Sequence, residues 1–177
     1  LLWVLDRTST AMGSRELTRW ITTPYRDTAI PNQRLTHIRE LIDSGLITSI
    51  TDHLKRIGDL ERIVARIGLR SARPRDLTRL RDSLKELPDL KVRLSQSKYP
   101  SVSQLGDSVL LLETIHQLLK RALELEPSVV ISAGGVIKEG FDHELDQLRR
   151  FSRDASSLLT EMEETERVNS GITALKL

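Results

Sequence analysis

Apolar residues recur along the chain at intervals of three and four, a spacing that predicts α-helices almost throughout. Leu35, Ile38, Leu41 and Ile42 make one stripe, with Pro31 in the first turn, where its missing N–H costs little. A short second stripe follows at Ile50, Leu54 and Ile57. Asp59 is placed to cap a third helix that turns Leu60, Ile63, Val64 and Ile67 inward. Pro74 predicts the start of a fourth, with Leu77, Leu80, Leu84 and Leu87 on one face and Pro88 as its kink or its end. Ser101 and Gln104 read as an S-x-x-Q capping box. Behind it, Val102, Leu105, Val109, Leu112, Ile115, Leu119 and Ala122 predict one amphipathic helix of about six turns.

The last pattern is the longest. Phe141, Leu145, Leu148, Ala155, Leu159 and Met162 share one face, and the pattern then fades into "EETERVNS" before Gly171, a residue suited to ending a helix. From 141 to 170 such a helix runs roughly 45 Å at 1.5 Å per residue. Apolar positions at one end and polar residues all round at the other predict a helix that leaves its bundle as an arm. Two short β-branched runs, 129–131 and 136–137, predict a minor extended hairpin. The expected fold is all-α, a helical bundle over 1–140 followed by one long projecting helix over 141–177.

Composition narrows the chemistry. The 177 residues include no cysteine, which excludes disulfides, thiolate-bound zinc and a thiol nucleophile. No apolar run approaches the roughly 20 residues of a membrane span, so no membrane partner is expected. The chain opens "LLWVLDRTST", without the basic n-region of a signal peptide and without an initiator Met; it reads as a cytoplasmic piece of a longer protein. Charge is uneven: residues 1–98 hold 19 Lys/Arg against 12 Asp/Glu, and residues 99–177 hold 8 against 13. A basic half of this kind suits either a nucleic-acid face or a solvated helical surface in a larger assembly.

One stretch, "VVISAGGVIKEGFDHELDQLR", imitates two binding motifs and completes neither. Gly135 and Gly140 have the gap of a phosphate-binding loop, but Phe141 and Asp142 stand where Lys and Ser/Thr would reach the phosphates and magnesium. His143-Glu144 opens a zinc-protease helix, but position 147 is Gln147 instead of the second histidine. His37, His53 and His116 fall singly on separate helices and read as surface or capping residues. No serine sits in a G-x-S-x-G turn. No catalytic, metal or cofactor site is therefore assigned. Gly134, Gly135 and Gly140 instead predict a tight turn that redirects the chain into the long helix, a hinge. Asp142 and Glu144 suit that helix's positive end.

The best binding candidate is the stretch from Lys55 to Arg81, with nine Lys/Arg and three acids. Arg62, Arg66 and Arg70 recur every four residues and predict a cationic stripe able to contact DNA phosphates. The chain has only two each of Trp, Tyr and Phe, and none lies among these arginines, which argues against a single-strand stacking platform. Acidic partners on a neighbouring domain satisfy the same pattern.

Three segments in order, "LLWVLDRTSTAMGSRELTRWITTPYRD", "GDLERIVARIGLRSARPRDLTRLRDSLKELPDL" and "GGVIKEGFDHELDQLRRFSRD" with its continuation to "SGITALKL", resemble the core (lever) region of the MutS family. The resemblance implies a DNA-mismatch-repair ATPase that uses ATP and magnesium in a separate domain, clamps mismatched duplex DNA as a homodimer and recruits MutL. It also implies that a clamp insertion follows "GITALKL". This segment would couple the ATPase to the clamp, with the alternatives that its 55–81 arginines themselves hold DNA or that it is an unrelated helical scaffold. Asn169 and Ser170 depart from the family's pattern, in which an acidic run and a threonine precede Gly171. None of the family's base-reading, phosphate-loop or magnesium motifs falls here.

Overall fold

The computed structural model describes residues 1–171. Among them the order is α1 (Leu2–Leu5), α2 (Ala11–Thr22), α3 (Ala29–Ser44), α4 (Ile47–Arg56), α5 (Leu60–Gly68), α6 (Pro74–Ser95), α7 (Pro100–Ser108), α8 (Glu113–Ala122) and α9 (His143–Ser170). A 3-10 turn at Ile131–Ala133 lies between the last two. The fold is all-α. The chain divides into two compact units, Leu1–Val136 and the segment from Ile137 onward.

The first unit is organised around α6, which packs against α4, α5, α7 and α8. Its core is Ile57, Leu90, Leu94 and Val102, closed by Met12, Leu41, Leu46, Ile50, Leu54, Leu60, Leu87, Tyr99 and Val109. Each fully buried side chain of this size contributes about 1.5–3 kcal/mol. Pro74 does open α6, and Asp76, two residues on, accepts from the Arg73 N–H at 3.0 Å. Asp59 caps α5 through the Arg62 N–H at 3.3 Å.

Close approaches fix how the helices meet. A Cβ on Gly106 would lie 2.4 Å from the Ser95 backbone nitrogen, so α7 rests against α6 where only glycine fits. At the α4–α5 corner the buried Ser83 hydroxyl accepts from the Gly58 N–H at 2.9 Å and donates to the Arg79 carbonyl at 2.6 Å. The Ser83 hydroxyl therefore has both a donor and an acceptor partner, which removes the penalty of burying it.

Several expectations change. The six-turn helix over 101–122 is two helices, parted at Val109–Leu112. Lys91 Nζ donates to the Val109 carbonyl at 2.8 Å, in place of a helical N–H. The break lets α7 pack near Ser95 and lets the chain after α8 return to Arg81, in the first half of α6. Ser101 makes no capping box. Its N–H and hydroxyl both donate to Glu40 of α3, at 2.9 and 2.5 Å. These hydrogen bonds hold the Glu40 carboxyl below its usual range. Pro88 neither ends α6 nor interrupts its span. Of the α5 residues expected inward, Ile63 is buried and Val64 and Ile67 are exposed. On α3 only Leu41 joins the core; Leu35, Ile38 and Ile42 face solvent.

The extended hairpin does not form as expected, because Ile131 enters the 3-10 turn. The Val136 carbonyl accepts instead from the Glu124 N–H at 3.0 Å, and the Gly135 carbonyl from Ser128 at 3.3 Å. His53 is likewise no surface residue. It is buried, with Nδ1 2.8 Å from Glu86 Oε2, which also accepts from Arg56 Nε at 2.8 Å. Burial pushes the Glu86 carboxyl up, but hydrogen bonds from His53 and Arg56 more than offset this and leave it below its usual range.

The second unit is built on α9, whose 28 residues amount to about 42 Å of helix. Asp142 caps its start by accepting from the Leu145 N–H at 2.8 Å. Gly171 ends it in the left-handed conformation at φ 68°, as its sequence position predicts. The residues after Gly171, where the "ITALKL" motif lies, are outside those described.

Candidate functional site

The glycine-rich stretch is a turn with defined chemistry. Gly134, Gly135 and Gly140 adopt φ values of 72°, 68° and 83°, a region costly for any residue with a Cβ. Gly134 closes the 3-10 turn through its N–H to the Ile131 carbonyl at 3.0 Å. In the second unit the Gly140 N–H donates to Asp146 Oδ2 at 2.6 Å. Asp146 sits one turn into α9, and its side chain points back towards the helix start, as helical side chains do. Arg149 completes the arrangement, with Nη1 3.2 Å from Asp146 Oδ1 and Nη2 donating to the Ile137 carbonyl at 2.8 Å.

Asp146 and Arg149 thus form a latch that pins residues 137–140 against the first turn of α9. Asp146 is 8% exposed. The sequence does not single it out; its i,i+3 spacing from Arg149 is the available signal. Where a zinc motif would place its second histidine, Gln147 lies with Nε2 3.0 Å from His143 Nε2, an amide donating to the imidazole. Among the described residues no group of three or more His, Asp or Glu is placed to hold a metal ion.

The arginine stretch is not a stripe. Arg62 lies 3.5 Å from Asp59, and Arg66 Nη1 is 2.5 Å from Asp76 Oδ1, so two of the three predicted contacts face carboxylates. Arg70 lies beyond α5, at φ 53°. Its N–H donates to the Ile67 carbonyl and the Ser71 N–H to the Arg66 carbonyl, both near 3.0 Å, which is a Schellman ending with arginine in the glycine position. The structure therefore does not bring Arg62, Arg66 and Arg70 onto one helical face.

Arg81, from the same stretch, is buried and ties α6 to the chain after α8. It donates to the Glu124 and Leu125 carbonyls at 2.9 and 3.1 Å. Arg56 is taken up by Glu86. Arg70, Arg73, Arg75 and Arg79 have no ion pair among the described residues.

A third polar group joins the N-terminal segment to the bundle. Arg15 of α2 donates to Asp59 at 2.8 and 2.6 Å and to Glu61 at 2.9 Å. Its hydrogen bond holds the Asp59 carboxyl below its usual range, and both acids raise the guanidinium's own pKa. Upstream, Asp6 receives hydrogen bonds from Ser14 and Thr8, which lower its pKa.

The three segments that carried the resemblance thus hold the hydrogen bonds of Asp6 and of Arg15, the corner where Gly58 meets Ser83, and the latch in the first turns of α9. A family model for MutS domain III matches residues 1–175. The chain belongs to the MutS family. In this MutS domain III, Arg15, Arg56 and Arg81 join separate elements of the first unit, and the glycine turn leads into α9. The family places the chain in DNA mismatch repair. Among the described residues no helix is long and apolar enough to cross a membrane.

Proposed function

We propose that this domain is a mechanical coupler between an ATPase domain and a DNA clamp elsewhere in the same protein. In this reading α9 is the lever and the turn holding Gly134, Gly135 and Gly140 is its pivot. The single observation that supports the reading is α9 itself, an uninterrupted 28-residue helix capped at both ends and latched at its start. Transmission over such a length needs an element stiff enough to move as one piece, with an equilibrium that both ends bias. The protein acts as a homodimer in the cytoplasm, clamps mismatched duplex DNA, uses ATP with magnesium outside this domain and recruits MutL.

The test is Leu159→Pro in the full-length protein, with Leu159→Ala as control. Proline breaks the helix at one exposed position. ATP-triggered release of the mismatch-bound clamp into a sliding state is then expected to slow strongly in the proline variant alone. Release at the normal rate overturns the lever. A salt titration of duplex binding addresses the rival, direct phosphate contact by the 55–81 arginines. A steep fall of affinity with salt that Arg70→Ala and Arg75→Ala both flatten would favour the rival.

A further inference from the structure

An apolar groove lies between the end of α2, the loop after it and α3. Leu35 and Ile38 of α3 are 60% and 46% exposed. Trp20, near the end of α2, Pro24 and Tyr25 in the following loop, and Pro31 of α3 line the same groove. The aromatic wall is held in place before any ligand arrives. The Arg34 guanidinium lies 3.7 Å from the Trp20 ring centroid and 5.2 Å from that of Tyr25, and Trp20 Nε1 donates to Glu16 at 2.5 Å. Rings fixed in advance lose little freedom on binding.

Arginines outnumber carboxylates around the groove, where Glu16 is already engaged by Trp20 and Arg19. Between residues 19 and 39 there are four arginines and one carboxylate, Asp27. That carboxylate accepts from the Ala29 N–H at 2.9 Å, at the start of α3. Arg26 adjoins Tyr25 in the loop, and Arg39 lies one helical turn beyond Leu35. Neither has an ion pair among the described residues. Such a surface fits an occupant that is apolar at its centre and anionic at its edges.

We infer that this groove docks a segment of a partner protein that inserts a bulky apolar side chain between Trp20 and Leu35 and offers carboxylates to Arg26 and Arg39. A nucleic-acid strand fits less well. Proline, leucine and isoleucine line most of the groove and give nothing to a sugar-phosphate chain, and Arg34 already covers a face of Trp20. A second copy also fits less well, because a two-fold contact would bring the same arginines against each other.

The test starts from a phage-displayed random-peptide library panned on the chain and, in parallel, on its Leu35→Glu variant. The chain has two tryptophans, so Trp3→Phe leaves Trp20 as the only tryptophan, excited selectively at the red edge where tyrosine does not absorb, for titrating a synthesised winner free of tryptophan. The expected winners carry Trp, Phe or Leu flanked by Asp or Glu, and they shift Trp20 emission. Leu35→Glu should weaken their binding about tenfold or more, and Arg39→Glu by a smaller factor. Leu35 and Arg39 are exposed, so both variants should retain the parent's helical circular dichroism and melting temperature. The inference is overturned by winners that bind Leu35→Glu equally, by winners that are basic, or by displacement with oligo-dT. Self-association of the chain that Leu35→Glu abolishes would overturn it too, by showing a second copy in the groove.

Discussion

In the first unit Val102 is entirely out of solvent, and Ile57, Leu90 and Leu94 lie around it. From Ile137 onward, among the described residues, the buried side chain is a carboxylate, Asp146. Apolar burial therefore stabilises the first region, with charged groups such as Arg81 spent on joining its helices. The second region is stabilised by backbone hydrogen bonds, by caps at both ends and by the Asp146–Arg149 latch. A helix held this way keeps its shape along its own axis without a core to anchor its sides. That is a useful property in a lever, and a region built like the first would not offer it.

The largest expected effect separates the two regions. Leu94→Ala should destabilise the chain by about 2–5 kcal/mol, because a cavity opens between α6 and α7. Leu159→Ala, at a residue 54% exposed, should cost no more than about 0.5 kcal/mol. Urea denaturation followed by circular dichroism measures both. Equal losses would mean that the α9 face is packed, and the contrast would then fail.

Asp146→Ala comes next. It leaves the Gly140 N–H and one side of Arg149 without their partner, a loss of about 1–2 kcal/mol. The loss should be local: amide exchange speeds up at Gly140 and Leu145, while amides of α6 stay protected. Faster exchange in α6 as well would show that the two regions unfold as one.

Acid should act on the first region through its joints. Asp59 and Glu86 both have pKa values below those of free carboxylates in the folded chain. For a depressed carboxylate the stabilisation is present above its unfolded pKa and is lost as pH falls through its folded one. Stability should therefore hold steady towards pH 5 and decline below about pH 4. In Asp59→Asn the decline should be shallower, read from urea midpoints across the pH range. An unchanged slope would remove Asp59 from the account.

The smallest effect has the opposite sign. Arg70 occupies a left-handed position that favours glycine, so Arg70→Gly should stabilise the chain by about 0.5–1 kcal/mol. The gain should appear as a small rise in melting temperature. A fall would mean that the Arg70 side chain does more than its backbone conformation costs.

Much of this was legible because it is local. A capping aspartate, a proline at a first turn and a glycine at a helix end act within a few residues, so Asp59, Pro74 and Gly171 have the roles their positions predict. Three separated segments likewise carried the family. The arginines misled for the opposite reason. A spacing of four predicts one face only while the helix continues, and α5 ends at Gly68, before Arg70.

Periodicity alone set the helical class and the length of α9, since one turn of hydrogen bonds needs nothing beyond its neighbours. Tertiary packing decided the rest. Gly106 against Ser95 places α7, and the return to α6 splits what reads as one helix at Val109. Pairing across the fold makes His53 a buried partner of Glu86 and Arg81 an internal tie. Those outcomes depend on residues well beyond one another's local turn, and an apolar stripe cannot say whether a neighbour covers it: Leu41 is covered and Leu35, on the same helix, is not.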